Sequence, residues 1–189
     1  MYIGSIDSKI QPGFFCNDDN TALTPRELEH VPGLLRLLDE ILVNAGDNKM
    51  RELEGGRPRP ATTDIHMTIG EDGSICVRNN GPTLPLAPVA DNPAYADVPT
   101  PVVAFGVPMS GTNFDDTEER TTGGTNGLGA KLTNIYSKEF ALVVKDPENH
   151  KQCSWVWGDN MQLKTSNKPT AFKGKDGQVE VTFEPEWSR

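Results

Sequence analysis

The 189-residue chain predicts an α+β fold, a two-layer sandwich with helices on one face of a mainly antiparallel sheet. Three observations carry that expectation. Residues 34–48 place Leu34, Leu37, Leu38, Ile41, Leu42 and Ala45 on one broad arc at helical spacing. Ile65, Met67 and Ile69 alternate with His66 and Thr68 ahead of an Asp72-Gly73 turn, after which Ile75 and Val77 continue on a partner strand. The C-terminal third reads as strands over 140–145, 152–157 and 178–184; in the last, Val179, Val181 and Phe183 alternate with Gln178, Glu180, Thr182 and Glu184. Strand pairs set around two or three helices bury their apolar faces most simply as helices on one side of a sheet. The length suits one domain with its own core, so residues 1–189 are expected to form a single domain.

Taken in order, residues 1–23 read as an irregular lead-in with Pro12, Gly13 and the polar cluster Asn17-Asp18-Asp19-Asn20. Thr24-Pro25-Arg26-Glu27 has the form of a capping box with proline at the first helical position, opening a brief helix that Pro32-Gly33 interrupts. The long helix 34–48 follows. Glu40, Asn44 and Asn48 step down one flank of its apolar arc at i, i+4 and i+8, with Asp47 beside them. A Gly- and Pro-rich loop over 54–60 leads into the 65–77 hairpin. Six prolines between Pro82 and Pro101 predict an extended excursion, and Thr100-Pro101 caps a short helix through Phe105. Beyond the glycine-rich stretch 123–129, a helix is expected over 130–136.

Composition narrows the function. Apolar residues make up 35% and charged residues 24%, while 18 Gly and 15 Pro make the chain loop-rich. Acidic residues number 27 against 18 basic, a net charge of −9, which argues against gripping duplex DNA without help. Cys16, Cys76 and Cys153 are widely spaced with no C-x-x-C, and His30, His66 and His150 form no ligand pair, so neither a disulfide framework nor a zinc site is expected. The first residues lack a basic leader and an apolar core, and the longest apolar run, 140–144, is far too short to span a membrane. An intracellular protein in a reducing compartment is the expectation.

Four groups of residues carry chemistry. Glu40, one turn before Asn44, offers a carboxylate and an amide oxygen to one small volume: a general base for water, and a ligand to complete the shell of a phosphate-bound Mg²⁺. A solvated helix edge has the same composition. Gly123-Gly124-Thr125-Asn126-Gly127-Leu128-Gly129-Ala130-Lys131 opens a helix, where bare backbone N–H groups and a lysine suit phosphate, although the spacing is not a Walker A loop. Asn79-Asn80-Gly81 ends a strand, and an Asn there could read an adenine edge or simply make a turn. Ser110-Gly111-Thr112-Asn113 precedes Phe114-Asp115-Asp116 and could bond sugar or phosphate.

The order of these pieces, closing with Thr182 on a late strand, resembles the Bergerat-type nucleotide fold of the GHKL ATPases. Within it, Asp39-Glu40-Ile41-Leu42-Val43-Asn44-Ala45-Gly46-Asp47-Asn48-Lys49 is similar to the type IIA DNA topoisomerases, nearer their eukaryotic and large-phage branch than bacterial gyrase. Met1-Tyr2-Ile3-Gly4-Ser5, Val31-Pro32-Gly33-Leu34, Asn113-Phe114-Asp115-Asp116, the 122–137 segment and Val181-Thr182-Phe183-Glu184-Pro185 match the same branch in order. The resemblance implies an ATP-binding, ATP-hydrolysing domain that drives dimer closure during DNA strand passage. It implies Glu40 as general base, Asn44 as Mg²⁺ ligand, and Asn48, Asn80 and Thr182 around adenosine. Ser110, Gly111, Thr112 and Asn113 would approach ribose and phosphates, and Thr125, Asn126, Gly127, Leu128, Gly129, Ala130 and Lys131 would wrap the triphosphate. A non-hydrolysing nucleotide-binding module and another GHKL clamp ATPase are the alternative classes.

Two departures accompany the resemblance. The family pattern Asn-Asp/Asn-Gly-basic-Gly-Ile-Pro reads here Asn79-Asn80-Gly81-Pro82-Thr83-Leu84-Pro85, which stiffens the floor of the expected adenine pocket. Motifs for the family's transducer, whose lysine reaches the γ-phosphate, and for its DNA-gate domains are not found up to Arg189. Slow hydrolysis and no DNA relaxation are therefore expected of these residues alone, with homodimerisation and DNA contact belonging to a parent enzyme.

Overall fold

The computed structural model describes residues 5–55, 61–89, 93–108 and 128–186, with side chains of the first helix described as far as Met50. The chain divides into two compact units, Met1–Asp39 and Glu40–Arg189. In the first, β1 (Lys9–Cys16) and β2 (Leu23–His30) pair antiparallel, Phe14 facing Pro25 and Pro12 facing Glu27. This corrects two expectations, the irregular lead-in and the helix opened by a capping box. Asn17 closes the turn instead, its Oδ1 accepting the N–H groups of Thr21 (2.9 Å) and Ala22 (3.0 Å), with Asn20 in the left-handed region. The Thr24 hydroxyl donates across the ribbon to the carbonyl of Phe15 rather than capping a helix. Pro12 and Pro25 are tolerated because a two-stranded ribbon is all edge.

Pro32 and Gly33 do not break a helix; they begin one. Helix α1 runs Pro32–Gly55, longer at both ends than the 34–48 periodicity, and the Val31 carbonyl accepts from Leu34 and Leu35 in its first turn. Leu37, Ile41 and Ala45, spaced by four, form its buried stripe.

The second unit is organised by a sheet in the order β3-β4-β9-β5-β6-β7, every pair antiparallel, with β8 on β6. Strands β3 (Ile65–Ile69) and β4 (Ile75–Asn80) form the expected hairpin, and β5 (Ser137–Asp146), β6 (Lys151–Gly158) and β9 (Gln178–Pro185) the expected C-terminal strands. Strands β7 (Gln162–Ser166) and β8 (Thr170–Ala171) carry no apolar alternation and were invisible to pattern reading, because they pair at an exposed margin. Among its described residues the proline-rich excursion holds a 3₁₀ turn, Pro93–Tyr95, and an antiparallel bridge of Pro88 with Pro99, before α2 (Thr100–Gly106), and α3 (Gly129–Ile135) follows the glycine-rich stretch.

Ladder register gives the sheet two unlike faces. Ile75, Val77, Phe140, Leu142, Val144, Trp155, Trp157, Val181 and Phe183 are buried on one. There Phe140 stands between Phe105 of α2, Trp157 of β6 and Phe183 of β9, at ring-centroid distances of 6.0, 5.9 and 6.4 Å. The Asn134 amide on α3 donates to the Phe105 carbonyl at 3.0 Å, so α2 and α3 share that face. The architecture is the expected α+β sandwich. Among the described residues no helix is long and apolar enough to cross a membrane.

Phe140→Ala should lower the unfolding free energy by about 3–5 kcal/mol, the usual cost of emptying a buried aromatic site. Urea unfolding followed by tryptophan fluorescence measures it. A loss below about 1 kcal/mol would mean that the ring cluster is not the packing centre.

Candidate functional site

The site begins on α1, where an apolar stripe seats the helix and a polar flank is carried beside it. Glu40 is half-buried and lies directly against Gly129, the first residue of α3. A Cβ at Gly129 would sit 2.7 Å from the Glu40 carboxyl carbon and 3.1 Å from its Cβ, overlapping the carboxylate. Any larger residue there would force the Glu40 side chain to move. Thus the helix flank and Gly129, which belong to separate candidates in the sequence, meet in the fold. Asn44, half-buried, lies one turn further along the same flank, and Asp47 beyond it is buried.

Asn48 continues the flank, but its amide faces protein: Nδ2 donates to the Pro82 carbonyl at 2.9 Å. The acceptor is a backbone carbonyl, which proline keeps although it lacks an N–H, so the loop after β4 is tied to α1 despite the departure from the family pattern. The loop turns on Gly81, at φ +96°, where a Cβ would come within 2.8 Å of the Thr62 nitrogen and 2.9 Å of its Cα. On the far side, a Cβ at Gly177 would stand 2.7 Å from Thr83 Cγ2.

The strand-end pair resolves differently from the expectation. Asn79 shares the helix-bearing face with Ile75 and Val77, is 5% exposed, and donates Nδ2 to the Asn80 carbonyl at 3.0 Å. Asn80 is on the opposite face. Its Oδ1 accepts the N–H groups of Thr63 (2.9 Å) and Asp64 (3.0 Å), while Nδ2 donates to Thr63 Oγ1 at 2.8 Å. Thr182, opposite Cys76 in the ladder, is likewise on the face away from the helices, with Val181 and Phe183 on the helix side. The structure therefore does not bring Asn80 and Thr182 to the Glu40–Asn44 flank, since side chains reverse face at every residue of a strand. Asn79, paired with Val179, is the strand-end asparagine that stands on the helix-bearing face. Strict alternation with Ile75 and Val77 was the signal that singles it out.

Lys131 in α3 is 2% exposed, and burial holds its ammonium pKa down, to about 8 from 10.5. Leu128 and Ala130 flank Gly129 at the start of α3, Ala130 buried. Ser110, Gly111, Thr112, Asn113, Thr125, Asn126 and Gly127 lie outside the described residues. Among the described residues no group of three or more His, Cys, Asp or Glu side chains could hold a metal. The Glu40 carboxylate and Asn44 amide oxygen are hard donors one turn apart; they fit Mg²⁺ that brings phosphate and water ligands with it, and do not fit zinc.

The chain is similar to known proteins over its full length. DNA topoisomerase 2 of Candida glabrata is 36% identical over 189 residues, all of this chain and 13% of the relative. DNA topoisomerase 2-alpha of Sus scrofa is 36% identical over 189 residues, 12% of its length. The crystal structure of the ATPase region of Saccharomyces cerevisiae topoisomerase II bound to ICRF-187 superposes with a TM-score of 0.86 at 33% identity, covering 99% of this chain and 47% of that one. The ATPase and transducer domains of DNA topoisomerase II from Balamuthia mandrillaris give 0.82 at 34% identity, with 99% and 46% covered. The chain thus spans about an eighth of the curated relatives and about half of the solved regions. No family model matches.

The depressed Lys131 pKa has a signed consequence. Between about 8 and 10.5 the unfolded chain binds the proton that the folded chain has released, so the Lys131 contribution makes stability rise with pH across that window. Below about 8 both states are protonated and the full cost of the buried charge is present. Lys131→Met should remove that part of the slope, seen in urea unfolding at successive pH values. An unchanged slope would show that the ammonium is not desolvated.

Proposed function

The chain is a homologue, over its whole length, of the ATPase region of DNA topoisomerase II, and from that relation we propose that it binds ATP with Mg²⁺ and hydrolyses it as the ATP-driven domain of a type IIA DNA topoisomerase. The observation that carries the reading is the contact of Glu40 with Gly129, which sets a carboxylate against the glycine that opens α3. Glu40 orients a water and takes its proton as the water oxygen attacks the γ-phosphorus and the bond to the bridging oxygen breaks, leaving ADP and phosphate. Asn44 holds Mg²⁺, which, when bound, offsets phosphate charge. Lys131, half-deprotonated near pH 8 in the absence of an anion, takes up a proton as the triphosphate arrives, because an adjacent negative charge favours the ammonium. Ser110, Gly111, Thr112 and Asn113 contact ribose and phosphates, and the segment from Thr125 to Lys131 wraps the triphosphate.

Asn79 replaces Asn80 and Thr182 in the base-recognition role, with Asn48 supporting the loop beneath. Because Nδ2 of Asn79 is committed to the Asn80 carbonyl, Oδ1 is the end left to accept a hydrogen bond. An acceptor there suits the exocyclic amino group of adenine and repels the 6-oxo group of guanine. The parent enzyme is an intracellular homodimer in which ATP closes one gate. DNA contact lies outside these residues, as their net charge of −9 favours.

Three measurements test this. Calorimetry with a non-hydrolysable ATP analogue and Mg²⁺ should show binding that Asn44→Ala weakens severely; no binding of ATP or ADP at millimolar concentration sinks the proposal. Glu40→Ala should abolish slow single-turnover hydrolysis while leaving affinity nearly intact, since the carboxylate acts on water and not on the bound ground state. Equal loss of both would make Glu40 structural. ATP should be preferred over GTP by about 10- to 100-fold, and Asn79→Ala should erase the preference.

A further inference from the structure

Among the described residues strand β3 is a margin of the sheet, and its five residues, Ile-His-Met-Thr-Ile, include no Lys, no Pro and no bulge. The opposite margin, β7, carries Lys164. On the helix-bearing face of β3, Ile65, Met67 and Ile69 are 44%, 44% and 64% exposed, although their ladder partners Asn79, Val77 and Ile75 are buried. A row of large apolar side chains beside an open backbone edge is a template for another strand.

The sequence of β3 names the strand that fits. Centred on Met67 it is its own antiparallel complement: Met67 faces Met67, Ile65 faces Ile69, and His66 faces Thr68, so every apolar side chain meets another on one face. The hydrogen-bond phase agrees. Asn80 N–H donates to the Asp64 carbonyl and Gly70 N–H to the Ser74 carbonyl, so the even-numbered residues of β3 turn their backbone groups toward β4. Ile65, Met67 and Ile69 turn theirs outward, and these are the three that must exchange bonds across a two-fold axis at Met67. Flanking charges agree as well: Asp64 would face Gly70, and Glu71 would face Thr63, with no like charges opposed.

We propose that β3 is an isologous interface, through which two copies of this chain join their sheets edge to edge, independently of nucleotide. Such a contact is self-complementary, as two-fold symmetry requires. Five residues a side make it smaller than a standard stable interface, so the association is weak and concentration-dependent.

Sedimentation velocity of the nucleotide-free chain over a concentration series tests it, with amide exchange read at Ile65, Met67 and Ile69. A monomer–dimer equilibrium is expected, with those three amides protected as the dimer forms. Met67→Lys, which sets two ammonium groups face to face, should raise the dissociation constant about tenfold or more. Met67→Pro is a second probe: it removes an outward N–H and spares the β3–β4 ladder, and it should abolish dimerisation with far-UV circular dichroism retained. Leu163→Lys on β7 should change nothing. A monomer at every concentration, a dimer indifferent to both Met67 variants, or protection at β3 without a change in mass overturns the proposal. So does a dimer that forms only with an ATP analogue, an outcome that leaves the nucleotide reading standing.

Discussion

Phe140 is the point from which the site is held. Its ring, fully buried, touches Phe105 of α2, and the carbonyl of Phe105 receives the Asn134 amide of α3. The first residue of α3, Gly129, then meets Glu40 on α1, and Asn48 further along α1 bonds the Pro82 carbonyl in the loop that ends β4. Strand β4 pairs with β9, and Phe183 of β9 packs on Phe140 again. The path closes on itself. A closed ring of contacts fixes the distance between a carboxylate and the glycine that opens α3 more firmly than either helix could alone, because displacing one member strains all the others.

Burial inside that ring has an electrostatic price, and it falls on Lys131. An ammonium surrounded by protein loses water solvation, and its affinity for a proton drops accordingly. In a molecule with a net charge of −9, a buried cation at the start of a helix is a local exception to the long-range field. An anion beside such an ammonium would restore the lost stabilisation, each charge making the other less costly. The residue is therefore held in a state that the anion improves, which is the physical content of preorganisation.

The two faces of the sheet divide the labour. One face holds the rings, the helices and Asn79; the other presents Asn80 and Thr182. Asn80 is not idle there. Its amide satisfies two backbone N–H groups of the segment entering β3 and so sets where that marginal strand begins. A residue that fits a family motif by position is thus engaged in bonds to the frame, and the pleat decides which face it is given.

Much of this protein was determined locally and could be read without a structure. The stripe of Leu37, Ile41 and Ala45, the Asp72-Gly73 turn and the alternation of β9 depend on neighbours within a few residues, and each lies where its periodicity put it. The same alternation already contained the assignment of Asn79 to the helix face. Tertiary structure alone decided the rest. Thr24-Pro25-Arg26-Glu27 satisfies a helix cap and a ribbon strand equally well until Phe14 lies opposite Pro25 and the hydroxyl finds the Phe15 carbonyl. Strands β7 and β8 have no pattern of their own, existing because β6 offers them a ladder. The meeting of Glu40 with Gly129, the tie from Asn48 to Pro82 and the burial of Lys131 join residues far apart in the chain. Periodicity cannot encode such contacts, because it records which side a residue faces and not what waits there.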